Sequence, residues 1–189
     1  MQNRGTGAGG SNTNVNGKSF EEKTENETRL LSNGFIRKKI PGKKGSHDYY
    51  LEKIETPTKS IIYLTQRGLK SYFAHFFQKE MIRCPDEAYL FCDGSYVLKV
   101  LEKKHQNVAG SVSDKLQIGD YMKYEYQECL GENFTVEYAF CISDFLKELY
   151  LSDAPKYKIL REYNRKNNVS VLFGDDDDYY SNLDEWINL

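Results

Sequence analysis

The sequence predicts an α/β fold, a central mixed β-sheet flanked by helices. Three observations carry that prediction. Strand-like runs rich in Tyr, Ile and Val are interleaved with helical stretches rather than segregated from them. Two of the runs are joined by Asp93-Gly94, the strongest short-range hairpin signal. The order of elements is mixed: helix, strands, hairpin, helix, strand, helices.

Residues 1–17 hold Gly, Asn, Ser and Thr with almost nothing to bury, and are expected to form a flexible arm ahead of a single domain over 18–189. Lys18 to Asn33 is the first predicted helix, with Phe20, Thr24, Leu30 and Leu31 on one face and Asn33-Gly34 as its stop signal. Phe35 to Ile40 is a short strand, followed by the basic turn Pro41-Gly42-Lys43-Lys44-Gly45. Tyr49–Ile54 and Ser60–Thr65 are strands separated by a turn at Thr56-Pro57. Leu69 to Lys79 is a helix whose aromatic face, Tyr72, Phe73, Phe76 and Phe77, is expected in the core. Strands at Glu87–Cys92 and Tyr96–Lys103 flank the Asp93-Gly94 turn. A helix then runs from about Ser113 to Cys129, an alternating strand from Phe134 to Ile142, and a helix from Asp144 to Leu151. Pro155 to Asn167 is another helix, with Pro at a first-turn position. Val169–Phe173 is the last strand, Asp175–Asp178 an acidic turn, and Leu183–Leu189 a terminal helical turn.

The 189 residues are 39% apolar, 29% charged and 14% aromatic, the balance of a globular chain and not of a disordered one. No run approaches the roughly 18 apolar residues of a membrane helix. The N-terminus has no apolar signal-peptide core. Cysteines 84, 92, 129 and 141 form no C-x-x-C pair and have no His cluster beside them. Structural zinc is therefore not expected, and reduced thiols in a cytoplasmic, intracellular compartment are. Residues 36–104 hold 14 Lys/Arg against 8 Asp/Glu, whereas residues 110–189 hold 8 against 16. The basic half is suited to facing a polyanion.

The chemistry lies in Pro85-Asp86 and Glu102-Lys103-Lys104. Strand side chains alternate between faces, so Glu102 and Lys104 project together and Lys103 points away. The hairpin about Gly94 folds the Asp86 strand back along the Glu102 strand and brings the two carboxylates together. Carboxylates at such range repel, raise each other's pKa, and are relieved by a divalent cation. Hard oxygen ligands favour Mg²⁺ or Mn²⁺. A neighbouring Lys places positive charge where a phosphoryl group develops negative charge, and can orient an attacking water.

Pro85-Asp86, fifteen intervening residues, then Glu102-x-Lys104, with Val97-Leu98-Lys99-Val100-Leu101 leading in, resembles the PD-(D/E)XK nuclease superfamily, the fold of many type II restriction endonucleases. The pattern of elements covers roughly residues 17–142. The resemblance implies Asp86 and Glu102 as catalytic metal ligands for Mg²⁺, with Mn²⁺ able to substitute. It also implies the backbone carbonyl of Lys103 as a further ligand and Lys104 as the catalytic lysine. A first-helix glutamate supports the metal in such enzymes; Glu21 and Glu22 compete for that place, and Glu21, directly after Phe20, is preferred. Gln106 follows the motif Lys as in some restriction enzymes, where it would touch DNA or brace the site; a buried Gln satisfying a loop is the equal alternative. His105 projects to the face opposite Lys104 and is read as structural or DNA-facing. Gln117-x-x-x-Tyr121 is similar to an end-positioning motif of exonuclease-like branches, though a helix that also carries Tyr124 and Tyr126 makes Tyr121 unsurprising.

Arg37, Lys38, Lys39, Lys43 and Lys44 flank a Gly-containing turn and form the expected phosphate-binding loop, with Arg67, Lys70 and Arg83 as extensions. Asp175–Asp178 lacks the spaced-ligand pattern of a Ca²⁺ loop and is expected to be solvated. The expected function is therefore Mg²⁺-dependent hydrolysis of double-stranded DNA at a short specific site, in a restriction-modification context. A homodimer would match two-fold DNA symmetry. The alternatives are a repair, resolvase or exonuclease-type nuclease of the same superfamily, and a non-catalytic DNA-binding module whose motif carboxylates belong to a charged strand end.

Overall fold

The computed structural model describes residues 20–108 and 110–188; the arm expected over 1–17, the first residues of the helix begun at Lys18, and Ala109 and Leu189 lie outside them. Seven strands form one mixed sheet in sequence order. β1 (Ile36–Lys39), β2 (Tyr49–Thr56), β3 (Lys59–Thr65), β4 (Glu87–Asp93) and β5 (Tyr96–Lys104) make an antiparallel meander. β6 (Phe134–Ile142) and β7 (Val169–Phe173) add parallel to β5 and to β6 respectively. Parallel neighbours need a crossover. The first is made by a 3₁₀ helix (Ser111–Ile118) and the helix that follows it, the second by the two helices between β6 and β7.

The helices are α1 (Glu27–Ser32), α2 (Gln66–Phe76), α3 (Gly119–Leu130), α4 (Asp144–Leu151), α5 (Pro155–Lys166) and α6 (Tyr179–Ile187). One face of the sheet packs under Leu69, Tyr72 and Phe73 of α2, Met122, Tyr126 and Leu130 of α3, Leu146 and Tyr150 of α4, and Tyr157 and Leu160 of α5. The other face packs under Phe20, Leu30 of α1, and Tyr179, Leu183 and Ile187 of α6. The sheet is thus buried between two helical layers, the α/β architecture with a mixed central sheet that the sequence predicts.

β6, α4 and β7 have the predicted bounds, and the β4–β5 hairpin turns through Asp93-Gly94-Ser95 with Gly94 at φ +71°. Four elements depart from expectation for a reason visible in their contacts, and other ends shift by one to three residues. The first helix is interrupted: a helical turn at 20–23 is followed by an irregular link before α1, because the Asn26 side chain turns inward to Glu87 (2.8 Å) and Thr24 Oγ1 donates to its own helix at Phe20 O (2.8 Å). α2 starts three residues before Leu69, since Thr65 caps it by accepting the Gly68 N–H at 3.2 Å. The helix expected over Ser113–Cys129 is 3₁₀ up to Ile118 and α-helical from Gly119. At Gly119 a Cβ would stand 2.8 Å from both Phe140 Cε2 and Val169 Cγ1, so only glycine lets this segment close onto β6 and β7. The terminal helix begins at Tyr179 rather than Leu183, with Tyr179 2% exposed in the core.

β7 does not reach the start of β6. There the Gln127 side chain stands in for a strand: Nε2 donates to Phe134 O (2.8 Å) and Oε1 accepts the Val136 N–H (3.1 Å).

Candidate active site

β4 pairs with β5 through Glu87↔Leu101. One step further along the same register sets Asp86 opposite Glu102, so both carboxylates project from one face of the sheet. Glu102 shares that face with Val100 and Leu98, and β6 backs it with Phe140. Lys104 lies two residues on, and its Nζ donates to Glu102 Oε1 at 2.6 Å. Both side chains are about one-fifth exposed, so the pair is largely buried but still meets solvent. Asp86 Oδ2 accepts the Lys103 backbone N–H at 2.6 Å. Burial, and next the charge of Asp86, push the Glu102 carboxyl above the usual carboxylate range against the pull of Lys104. Two carboxylates under mutual repulsion beside an ammonium are the arrangement expected from the motif.

On the opposite face the same alternation produces a structure of its own. Lys103 Nζ donates to Glu87 Oε1 (2.6 Å) and to Thr24 O (2.9 Å). Glu87 Oε2 accepts from Asn26 Nδ2 (2.8 Å) and from the Tyr89 hydroxyl (3.0 Å). The side chains of Lys103 and Glu87 are 6% and 4% exposed. Burial pulls the Lys103 ammonium down, but the charge and hydrogen bond of Glu87 outweigh it and hold the group above its ordinary range. Lys103 therefore fixes the Asp86-Glu87 dipeptide twice, Asp86 through its main chain and Glu87 through its side chain. It also ties the strand end to the first helical segment through Thr24 and Asn26. Sequence reasoning named Lys103 only for its carbonyl and missed Glu87 and Asn26. The signal available was parity: Glu87 and Lys103 sit on the face that Asp86 and Glu102 do not.

Glu21 lines a groove of about 260 Å³ with Asp86, Glu87, Lys103, Glu25, Glu27, His47 and Arg67. Of the two first-helix glutamates weighed, it is Glu21 that lines this groove. Asp86 lines it as well, whereas the Glu102 and Lys104 side chains are not among the groove's walls. His105 turns to the helix on that face and meets the Phe20 ring at 5.4 Å, as a structural residue does.

The basic residues divide. Lys39, Lys43 and Lys44 are exposed, and the loop carrying the last two ends at His47, on the groove wall. Arg37 is ion-paired with Glu27 and lies 4.5 Å from the Tyr49 ring centroid; Lys38 is ion-paired with Glu52. Arg83 Nε is engaged by Glu125 at 2.5 Å. Of the places weighed for Gln106, the structure shows the buried one: it is 7% exposed, its Nε2 donates to Val108 O and its Oε1 accepts from Ser113 N, so it satisfies the loop and is not exposed for contact with DNA. Gln117 lies on the 3₁₀ helix and Tyr121, 56% exposed, on α3. The acidic turn is tied down, with Asp175 bonded to Lys23 (2.9 Å) and Asp176 to Lys147 (2.5 Å).

All four cysteines are free thiols, and burial pushes the Cys141 thiol up to about 12. Among the described residues no helix is long and apolar enough to cross a membrane, and no three His, Cys, Asp or Glu side chains are grouped to hold a metal. Two carboxylates still fit Mg²⁺, which keeps several waters and is commonly bound by one or two carboxylates plus substrate phosphates. The same sheet face also carries two buried hydroxyls, Tyr126 and Tyr138, with no hydrogen-bond partner. A hydrated cation would offer such groups acceptors that the protein does not.

Comparison of the chain with protein-family models, with curated proteins and with solved structures finds no match in any of the three.

Proposed function

We propose that the protein is a Mg²⁺-dependent endonuclease acting on double-stranded DNA, of the type II restriction kind. One observation carries the reading: Asp86 and Glu102 face each other across β4 and β5 with the Lys104 ammonium 2.6 Å from Glu102. The residue pattern that resembles PD-(D/E)XK nucleases is thereby gathered on one sheet face at a strand end. Asp86 and Glu102 would hold the cation, Mn²⁺ substituting for Mg²⁺, with the Lys103 carbonyl as a further ligand. When bound, the cation supplies charge to offset that developing on phosphorus and lowers the pKa of water. Lys104 orients the attacking water and stabilises negative charge on the phosphoryl oxygens. Glu21 faces the groove beside Asp86 as a supporting carboxylate. Lys39, Lys43 and Lys44 bind backbone phosphates at the groove's margin, each adding salt dependence. A homodimer belongs to the same proposal and is checked by sedimentation with and without DNA.

The test is incubation of the purified protein with unmethylated plasmid and phage DNA, with and without Mg²⁺, beside Asp86→Asn and Lys104→Ala. Discrete fragments that need the metal and both residues support a site-specific endonuclease. A smear with the same requirements points to a non-specific or end-directed enzyme. Cleavage untouched by either substitution, or none on intact, branched or end-bearing DNA, overturns the catalytic reading. DNA binding without cleavage, indifferent to metal and to Glu102→Gln, leaves a binding module.

A further inference from the structure

Two tyrosines are buried on the sheet face that carries Asp86 and Glu102. Tyr138 is on β6 beside Val100, two residue pairs back along the strand from Glu102, and on the same sheet face. Tyr126 comes down onto that face from α3. They are 1% and 2% exposed. Neither hydroxyl has a hydrogen-bond partner, although each is sealed from solvent. Leaving a buried hydroxyl unpaired costs on the order of 1–3 kcal/mol. Phenylalanine would fill the same space without that cost; a third unpartnered tyrosine hydroxyl, that of Tyr179, lies on the opposite face, away from the carboxylates. Glu102 is the charge that acts on both phenols most strongly, with Asp86 also acting on Tyr138. The neighbouring cation, Arg83, is already taken by Glu125.

We propose that Tyr126 and Tyr138 are positioning residues of a hydrated divalent-cation site, their hydroxyls donating hydrogen bonds to the oxygen shell held by Asp86 and Glu102. The inference rests on the metal-dependent reading above and deepens it. It assigns the α3–β6 crossover a role in the site: α3 brings Tyr126 and β6 brings Tyr138 to the carboxylates on β4 and β5. Outer-shell hydrogen bonds orient the inner ligands, and their removal typically lowers metal affinity about 10–100-fold. The two carboxylates contribute acceptors only, so donors aimed at bound water must come from elsewhere in the wall.

The experiment is titration of the full chain with Mn²⁺ as a paramagnetic probe, followed by electron paramagnetic resonance without DNA. Wild type, Tyr126→Phe, Tyr138→Phe, Asp86→Asn and Tyr179→Phe are compared, each with its thermal unfolding midpoint. Tyr179 is the control, a buried tyrosine on the opposite sheet face. The expected result is Mn²⁺ binding by wild type, loss in Asp86→Asn, roughly tenfold weakening in each of the first two Phe variants, and no change in Tyr179→Phe. The unfolding midpoints of the first two Phe variants should equal or exceed that of wild type. Wild-type affinity in both Tyr126→Phe and Tyr138→Phe, or equal weakening in all three Phe variants, overturns the inference and leaves the nuclease reading standing. Failure of wild type to bind Mn²⁺ removes the metal-dependent reading and this one with it.

Discussion

Lys103→Met offers the most direct test of how the site is held. The Lys103–Glu87 pair is 2.6 Å long with side chains 6% and 4% exposed, and Lys103 makes a second bond to Thr24 O. Removing one partner of a pair this buried strands the other charge and costs about 3–5 kcal/mol. For a chain of this size that corresponds to a drop of roughly 6–20 °C in unfolding midpoint, at about 2–4 °C per kcal/mol. Two bonds to Glu87, from Asn26 and Tyr89, survive the substitution and place the expected loss toward the lower end. A surface pair gives the contrast. Lys158–Asp153, 56% and 97% exposed, should be worth less than about 1 kcal/mol. The assay is urea unfolding of wild type, Lys103→Met, Glu87→Gln, the double variant, and Lys158→Ala. The double variant should recover most of the single-site losses, because no buried charge is left unpaired. A loss below about 1 kcal/mol in Lys103→Met, or a double variant equal to the sum of the singles, would refute the argument that this pair clamps the strand end.

Three further outcomes follow from the same contacts. Glu102→Gln should abolish cleavage yet leave the metal-free protein as stable as wild type or more so at neutral pH. A carboxyl whose folded pKa lies above its unfolded value holds its proton longer in the native state, so stability falls as pH rises from about 4.5 through the raised value; the difference between the variants should vanish below that window in unfolding scans. Gly119→Ala should cost about 1–3 kcal/mol by forcing Phe140 and Val169 aside, read as a shift in urea midpoint at constant slope. Lys43→Ala combined with Lys44→Ala should weaken DNA binding without changing the fold, and should reduce the slope of log affinity against log salt by up to about two.

Much of this architecture was legible in the chain because its signals are local. Turn chemistry at Asp93-Gly94 and a side-chain period of two suffice to place Asp86 opposite Glu102 and to send Lys103 the other way. Apolar periodicity suffices for β6, α4 and β7, whose bounds are unchanged in the structure. Where expectation and structure part, a contact remote in sequence decided. Asn26 leaves the first helix to reach Glu87, 61 residues away. Gly119 stands at the change from 3₁₀ to α-helix, where Phe140 and Val169 leave no room for a Cβ. Gln106 turns inward because the loop offers Val108 O and Ser113 N to its amide.

The sequence by itself determined the order of elements, the mixed sheet and the meeting of Asp86, Glu102 and Lys104, since all three depend on spacing along one hairpin or on one element's own periodicity. Only the tertiary structure decided that Lys103 is a buried clamp, that Glu21 and Asp86 line one groove, and that the Tyr126 and Tyr138 hydroxyls are buried without a partner on the carboxylates' sheet face. Each of those depends on which donor finds which acceptor across separate elements. A buried polar group must be satisfied wherever its partner lies, and separation along the chain carries no record of where that is.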